Sequence, residues 1–185
     1  MPSLHDLGWN DHFAKAYEAF AGPGVLPGRV ALEHNHVYRV ITESGELLAE
    51  ATGRMKHLAE GRHELPAVGD WVALRIEEAG DRALIKAVLP RLGKFSRKSA
   101  GEWTDEQVVA ANIDTVFLVT GLDGDFNPRR IERYLLLAQQ SQARPVIILN
   151  KADLADDVAE AVAMIGEMAN GIPVLAISAA DGRGF

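Results

Sequence analysis

The sequence contains no cysteine among its 185 residues. Disulfides and thiolate metal sites are thereby excluded, and a reducing compartment is permitted. No apolar run approaches the roughly 20 residues that a membrane-spanning helix requires, and the N-terminus lacks the apolar segment of a secretory signal. These absences favour a cytoplasmic protein with no membrane partner.

Acidic residues are also absent from one stretch of an otherwise acidic chain. The net charge is −7, which argues against indiscriminate nucleic-acid binding, yet residues 82–101 contain no Asp or Glu. The basic residues of this stretch are Arg82, Lys86, Arg91, Lys94, Arg97 and Lys98. The stretch is either a solvated linker or a surface that follows a phosphate backbone, with Phe95 available for base stacking.

The apolar pattern divides the chain into two differently organised halves. Residues 1–27 include a short helical stripe, which predicts a docking helix or arm. Residues 28–90 alternate with period two in five short segments, which predicts a small closed barrel of the OB or SH3-like type. Residues 91–108 are polar and basic and are predicted to be a linker. Residues 109–185 are predicted to form strand–helix–strand–helix–strand, part of a parallel α/β sheet.

The second half begins with an apolar strand at 112–120, predicted to be covered on both faces as in parallel sheets. Asn127 and Pro128 then predict a helix N-terminus. Ligands of such sheets bind at the carboxyl ends of the strands. The next two predicted strands end in polar segments, Asn150-Lys151-Ala152-Asp153 and Ser178-Ala179.

These polar residues suit a guanine base. The Asp153 carboxylate can accept two hydrogen bonds, from guanine N1–H and the exocyclic amine, and adenine offers no matching pair. The Lys151 stem can lie along the purine face. Asn150 can tie neighbouring loops together, and the Ala179 N–H can point at guanine O6. The alternative is a polar loop that merely caps the next helix.

At these residues the sequence resembles translation-factor-type GTPases, whose Asn-Lys-x-Asp motif is followed by Ser-Ala. The upstream barrel, Ala110-Ala111-Asn112-Ile113-Asp114 and Arg129-Arg130-Ile131-Glu132-Arg133-Tyr134-Leu135 extend the resemblance from about Gly28 onward. Together they resemble the circularly permuted, ribosome small-subunit-dependent GTPase A family. The resemblance implies an OB-fold followed by a permuted P-loop GTPase domain.

The same resemblance implies GTP or GDP binding, hydrolysis with Mg²⁺, and action in late maturation of the small ribosomal subunit. It also implies rRNA contact by the barrel, for which Arg91, Lys94, Arg97 and Lys98 are the candidate residues. Asn150, Lys151, Asp153, Ser178 and Ala179 are its candidate nucleotide-binding residues.

The sequence departs from the family in one respect. No Gly-x-x-x-x-Gly-Lys-Ser/Thr phosphate loop occurs in it, because the family places that loop, its Mg²⁺ ligands and a zinc domain after Ser-Ala. We therefore expect an N-terminal part of a longer protein, with no catalytic residues and little GTPase activity of its own. An RNA-binding barrel with a non-catalytic scaffold, or an interaction domain without ligand, are the alternatives.

Two weaker signals do not support a metal site. The segment from Asp123 begins like a calcium loop, but Pro128 occupies the position of its glycine and Tyr134 that of its glutamate. His34 and His36 would share one strand face without a clear third ligand.

Finally, the three strands of the second half should leave the 113–120 strand with an open edge. We therefore expect that half to be the less stable one.

Overall fold

The computed structural model describes residues 2–77, 82–98 and 106–184, without the side chains of Arg97 and Lys98. Two compact units divide between Asn112 and Ile113. Among the described residues no helix is long and apolar enough to span a membrane.

The first unit is built on a closed five-stranded barrel, which confirms the predicted fold. Its strands follow the order β1-β2-β3-β5-β4, in which only β3 and β5 pair in parallel. This closed Greek-key arrangement is that of an OB-fold. The strands are β1 (Val25–His34), β2 (Val37–Thr42), β3 (Gly45–Ala51), β4 (Trp71–Ile76) and β5 (Ala83–Val88). Their inward side chains, such as Val40, Leu74 and Ile85, are fully buried.

An N-terminal helix, α1 (Asp11–Tyr17), packs against this barrel. Asn10 begins it by accepting hydrogen bonds from the His12 and Phe13 backbone N–H groups at 3.0 and 3.3 Å. Phe13 is buried together with Trp71 and Leu89. The polar connection between β3 and β4 contains helix α2 (Gly53–Leu58) and a 3-10 turn (Arg62–Glu64).

The main departure from prediction in this unit is at residues 91–108, which were predicted to be a linker and which contain strands. This segment contributes β6 (Lys94–Lys98), and this strand pairs in antiparallel fashion with β7 (Glu106–Ala111). The second strand is held to the first unit by Ala111 N–H, which donates to the Val68 carbonyl at 2.8 Å. The composition predicts a linker because apolar and polar residues alternate only weakly there. The strand pairing that stabilises this segment joins residues that are distant in sequence, so local patterns do not indicate it.

The second unit is a three-stranded parallel sheet with two helices. Its strand order is β10-β9-β8, so β8 lies at an edge among the described strands. The elements are β8 (Thr115–Gly121), α3 (Pro128–Gln140), β9 (Arg144–Asn150), a 3-10 turn (Ala152–Leu154), α4 (Val158–Ala169) and β10 (Val174–Ala176). Asn127 and Asp157 cap the two helices through their side-chain oxygens.

Only one face of this sheet is covered, which corrects the prediction of a doubly covered strand. Leu118, Ile147 and Leu149 pack with Ile131, Leu135 and Ile165 of the helices. On the opposite face Phe117, Val119 and Leu175 are 63%, 58% and 50% exposed. The apolar run predicted burial on both sides, whereas among the described residues the helices of this unit cover one side only.

Candidate functional site

The candidate site lies where β9 and β10 end side by side. Leu149 and Ala176 are register partners, so the two following loops leave the sheet together. The Ile177 N–H donates to the Leu149 carbonyl at 2.9 Å, and the Ala152 N–H donates to the Ile177 carbonyl at 3.0 Å. These bonds fix the Asn-Lys-x-Asp loop, residues 150–153, against the Ser-Ala loop, residues 178–184.

A single side-chain oxygen of Asn150 joins these two loops. Its Oδ1 accepts from the Lys151 N–H at 2.8 Å and from the Ala179 N–H at 3.0 Å. We expected the Ala179 N–H to face guanine O6, whereas in this structure it donates to Asn150. Asn150 therefore has the loop-tying contact that its amide suggested, and the sequence did not identify its partner.

Asp153 is held by the second loop. The Ser178 hydroxyl donates to Asp153 Oδ1 at 2.6 Å, and Ser178 itself is completely buried. The Asp181 N–H donates to the Ser178 oxygen at 3.3 Å, so the hydroxyl is fixed from both sides. Asp153 is exposed, and its Oδ2 has no hydrogen-bond partner in the described part of the chain. The arrangement presents an oriented carboxylate at the surface.

The loop that carries Ser178 closes upon itself. The Ser178 N–H donates to the Arg183 carbonyl, and the Gly182 N–H donates to the Ser178 carbonyl, both at 2.9 Å. The backbone N–H of Arg183, followed by the Ser178 hydroxyl, holds the pKa of Asp181 below its ordinary value. Asp181 is therefore ionised at neutral pH.

Lys151 adopts a left-handed backbone conformation, with φ of 62°. Such a conformation is uncommon for a non-glycine residue and often marks a functional loop. Its ammonium forms an ion pair with Asp123, in the loop that follows β8. The hydrogen bond to Asp123 raises the pKa of Lys151. The bond from Lys151 lowers the pKa of Asp123.

Sequence reasoning missed Asp123 as a site residue, because it was considered only as the start of a calcium loop. The signal was nevertheless present. Asp123 lies just after the strand that neighbours β9, and Gly121 is the register partner of Asn150. The parallel order of the strands therefore brings the loop after β8 beside the Asn-Lys-x-Asp loop.

Within the basic stretch, residues 82–101, Arg91 is engaged by other residues of the fold. Arg91 is only 16% exposed and donates to both carboxylate oxygens of the buried Asp70, at 2.8 and 2.7 Å. It also donates to the carbonyls of His63 and Leu65. These bonds engage Arg91 within its own unit, and so we withdraw it from the RNA-binding candidates.

Two of the other basic residues pair with acids from elsewhere in the chain. Lys94 is 41% exposed and contacts Glu106 at 2.7 Å. Arg82 pairs with Glu50. The side chains of Arg97 and Lys98 lie outside the described residues. The acid-free sequence therefore does not produce a uniformly positive surface.

No group of three or more His, Asp or Glu side chains in the described ranges is placed to hold a metal ion. The first unit also contains a cavity of about 250 Å³. Its lining includes Glu33, His36, Tyr38 and Arg62. Burial, and then Glu33, raise the pKa of Tyr38 to about 12, so that phenol stays protonated.

Comparison with known proteins gives a consistent result. The family model described as RsgA GTPase matches residues 88–185. A small ribosomal subunit biogenesis GTPase RsgA from Opitutus terrae is 48% identical, and the match covers 99% of this chain and 52% of that protein. The protein of the same name from Xanthomonas axonopodis pv. citri is 43% identical, with coverages of 97% and 50%.

Two solved structures share the fold. YjeQ from Thermotoga maritima superposes with a TM-score of 0.64 at 24% identity, covering 86% of this chain and 54% of that one. YloQ, described as a circularly permuted GTPase, superposes with a TM-score of 0.61 at 19% identity, with coverages of 85% and 53%. The chain spans about half the length of the curated relatives that it matches.

Proposed function

The chain belongs to the RsgA GTPase family, and on that premise we propose that it supplies the guanine-recognition part of a GTPase that acts in biogenesis of the small ribosomal subunit. The supporting observation is the convergence of Asn150, Asp153 and Ser178 at the ends of two adjacent parallel strands. The partners that follow are guanine nucleotide and the small subunit with its rRNA, in the cytoplasm.

Recognition of the base rests on the Asp153 carboxylate. Ser178 fixes Oδ1 and leaves Oδ2 and the remaining lone pairs to accept from guanine N1–H and the exocyclic amine. Adenine has no such pair of donors on that edge, so the carboxylate would face it with unmatched acceptors. A site built to hydrogen-bond its ligand rejects analogues strongly for this reason.

Asn150 and Ala179 maintain the shape of this site. Because one amide oxygen receives an N–H from each loop, the Ser-Ala loop cannot move independently of Asp153. A base bound there could receive the Ala179 N–H at its O6 only by sharing it with Asn150 Oδ1 or by displacing that oxygen.

The residues that we assign to nucleotide binding recognise the base and do not bind the phosphates. No Gly-x-x-x-x-Gly-Lys-Ser/Thr sequence occurs in the 185 residues. Mg²⁺ neutralises phosphate charge in GTPases, and among the described residues no group of three or more His, Asp or Glu is placed to hold a metal ion. We therefore assign hydrolysis to the whole protein and base recognition to this chain.

Substitution of Asp153 by Asn tests base recognition. An amide presents a donor where guanine presents one, and xanthine presents an acceptor there instead. We expect Asp153→Asn to weaken GDP binding by at least about tenfold and to favour xanthosine diphosphate, as measured by NMR titrations at millimolar nucleotide. Asp156→Asn is the matched control, since it removes an exposed carboxylate of the same loop region. Unchanged guanine preference would remove Asp153 from this role.

We also propose that the barrel unit binds rRNA, as in the alternative of an RNA-binding module. The supporting observations are the OB-fold topology and the basic residues Lys94, Arg97 and Lys98 beside it. Affinity for small-subunit RNA should fall steeply with salt. It should also fall in Arg97→Gln/Lys98→Gln, whereas Lys15→Gln, an exposed charge on α1, should change it less. Binding that is insensitive to salt and to the Arg97/Lys98 change would contradict the proposal.

A further inference from the structure

Asp123 contacts the Asn-Lys-x-Asp loop from a third strand end. It follows β8, whose last residue, Gly121, is the register partner of Asn150. The Leu122 N–H donates to the Asn150 carbonyl at 2.7 Å, so the loop after β8 is anchored directly to the residue that precedes Lys151.

The loop holds the Asp123 carboxylate in one orientation. Its Oδ1 accepts from the Asp125 N–H at 3.2 Å, and its backbone carbonyl accepts from the Phe126 N–H at 3.0 Å. Its Oδ2 accepts from the Lys151 ammonium. The Asp123 side chain is 26% exposed and that of Lys151 is 50% exposed. The acid is therefore the more fixed partner of the two.

Gly121 makes room for this contact. A Cβ at that position would lie 2.8 Å from Asp123 Oδ1 and 3.3 Å from Lys151 Cδ. The lysine stem therefore passes across the end of β8 through space that any larger side chain would fill. Its course is set at two points, by the missing side chain below it and by the carboxylate at its tip.

We propose that Asp123 is a positioning residue for guanine binding, which holds the Lys151 stem across the end of β8 as a flat apolar surface for the purine face. This inference rests on the proposed base-recognition function. A free lysine side chain would have to lose its rotamer freedom when the base binds, and that loss would weaken affinity. Asp123 fixes the side chain beforehand, while Asp153 recognises the edge of the base.

We expect the ion pair to be dispensable for folding, and this expectation separates the positioning role from a structural one. Exposed ion pairs contribute little to stability. We therefore expect Asp123→Asn to leave the thermal unfolding midpoint unchanged and to weaken GDP binding roughly threefold to tenfold. Asp125→Asn is the control, because it removes an equal charge two residues away that pairs with Arg130 instead. We expect it to bind GDP as the unaltered chain does.

A double-mutant cycle tests whether Asp123 acts through Lys151. In a Lys151→Met background, Asp123→Asn should have no further effect on GDP affinity. Gly121→Ala, which intrudes on both side chains, should weaken GDP binding as well. Asp123→Glu should restore part of the affinity. If Asp123→Asn has its full effect without Lys151, or binds GDP like Asp125→Asn, the positioning role is wrong.

The outcome is separable from failure of base recognition. If Asp153→Asn does not change the preference between GDP and xanthosine diphosphate, both proposals fail. If that preference changes while Asp123→Asn binds GDP normally, only the positioning role is overturned.

Discussion

The barrel unit and the α/β unit bury their apolar residues to different degrees. In the barrel, five strands close on themselves, and Trp71, Val72 and Leu74 are fully buried. In the α/β unit, an open sheet leaves Phe117 and Val119 more than half exposed. Closure removes strand edges, whereas an open sheet keeps them.

The two units also differ in the surroundings of their polar contacts. The barrel unit holds its basic Arg91 against a buried aspartate, with four hydrogen bonds to fixed acceptors. In the α/β unit the corresponding contacts form the candidate site, where Lys151 pairs with Asp123 and the buried Ser178 holds the exposed Asp153. The same kinds of interaction therefore stabilise structure in one unit and shape a site in the other.

The largest expected effect is in the barrel unit. Arg91→Met leaves the Asp70 carboxylate buried without its partner, and breaking such a pair costs about 3–5 kcal/mol. Chemical denaturation should show this loss in the free energy of unfolding. Lys94→Met removes an exposed pair with Glu106 and should cost less than about 1 kcal/mol. Equal losses in the two variants would mean that burial does not distinguish these pairs.

The next effect tests the two faces of the open sheet. Ile165→Ala empties the covered side, where Ile165 is fully buried, and should lower the free energy of unfolding by about 2–5 kcal/mol. Leu175→Ala, at a position 50% exposed on the other side, should change it by less than about 1 kcal/mol. A large loss for Leu175→Ala would show that this face is covered in solution.

Amide hydrogen exchange compares the two units directly. We expect amides of β8 to exchange at least about tenfold faster than those of the barrel strands, since an edge strand with one bare face opens more readily. Mass spectrometry or NMR under native conditions would measure this. Stronger protection across 113–177 than across 30–88 would reverse the comparison.

The smallest expected effect is the absence of a pH dependence. Asp123 has its pKa below the ordinary 3.8, so its contribution is present above 3.8 and is lost as pH falls through the lowered pKa. Lys151 has its pKa above 10.5, so its contribution is present below 10.5 and is lost as pH rises through the raised pKa. No histidine follows His63 in the sequence. Affinity for guanosine, which lacks the titrating phosphate of GDP, should therefore be flat from about pH 5 to pH 8, and a change within that window would point to another group.

Much of the architecture follows from local sequence patterns. Period-two alternation predicted the barrel strands, and Asn127 with Pro128 predicted the start of α3. The Asn-Lys-x-Asp and Ser-Ala segments lie together, because parallel strands end at one edge of a sheet. These features depend on neighbours within a few residues or on a general rule of topology.

The remaining features depend on contacts that sequence patterns do not encode. Asp70 and Arg91 are 21 residues apart in sequence, and nothing in the intervening pattern indicates their pairing. Asp123 and Lys151 are separated by 28 residues. The exposed face of the sheet also differs from the prediction. An apolar strand sequence predicts burial on both faces, but it does not show whether another element packs there.

The two hydrogen bonds that Asn150 Oδ1 accepts can form at different stages of chain synthesis. Its bond to the Lys151 N–H is local and can form as soon as that loop turns, whereas its bond to the Ala179 N–H closes a span of 29 residues. The latter must wait until α4 has folded and β10 has paired with β9. A nascent chain that has emerged only as far as α4 therefore holds the Asn-Lys-x-Asp sequence without a formed site. The hydrogen bond between the two loops can form only after the Ser-Ala loop has been synthesised.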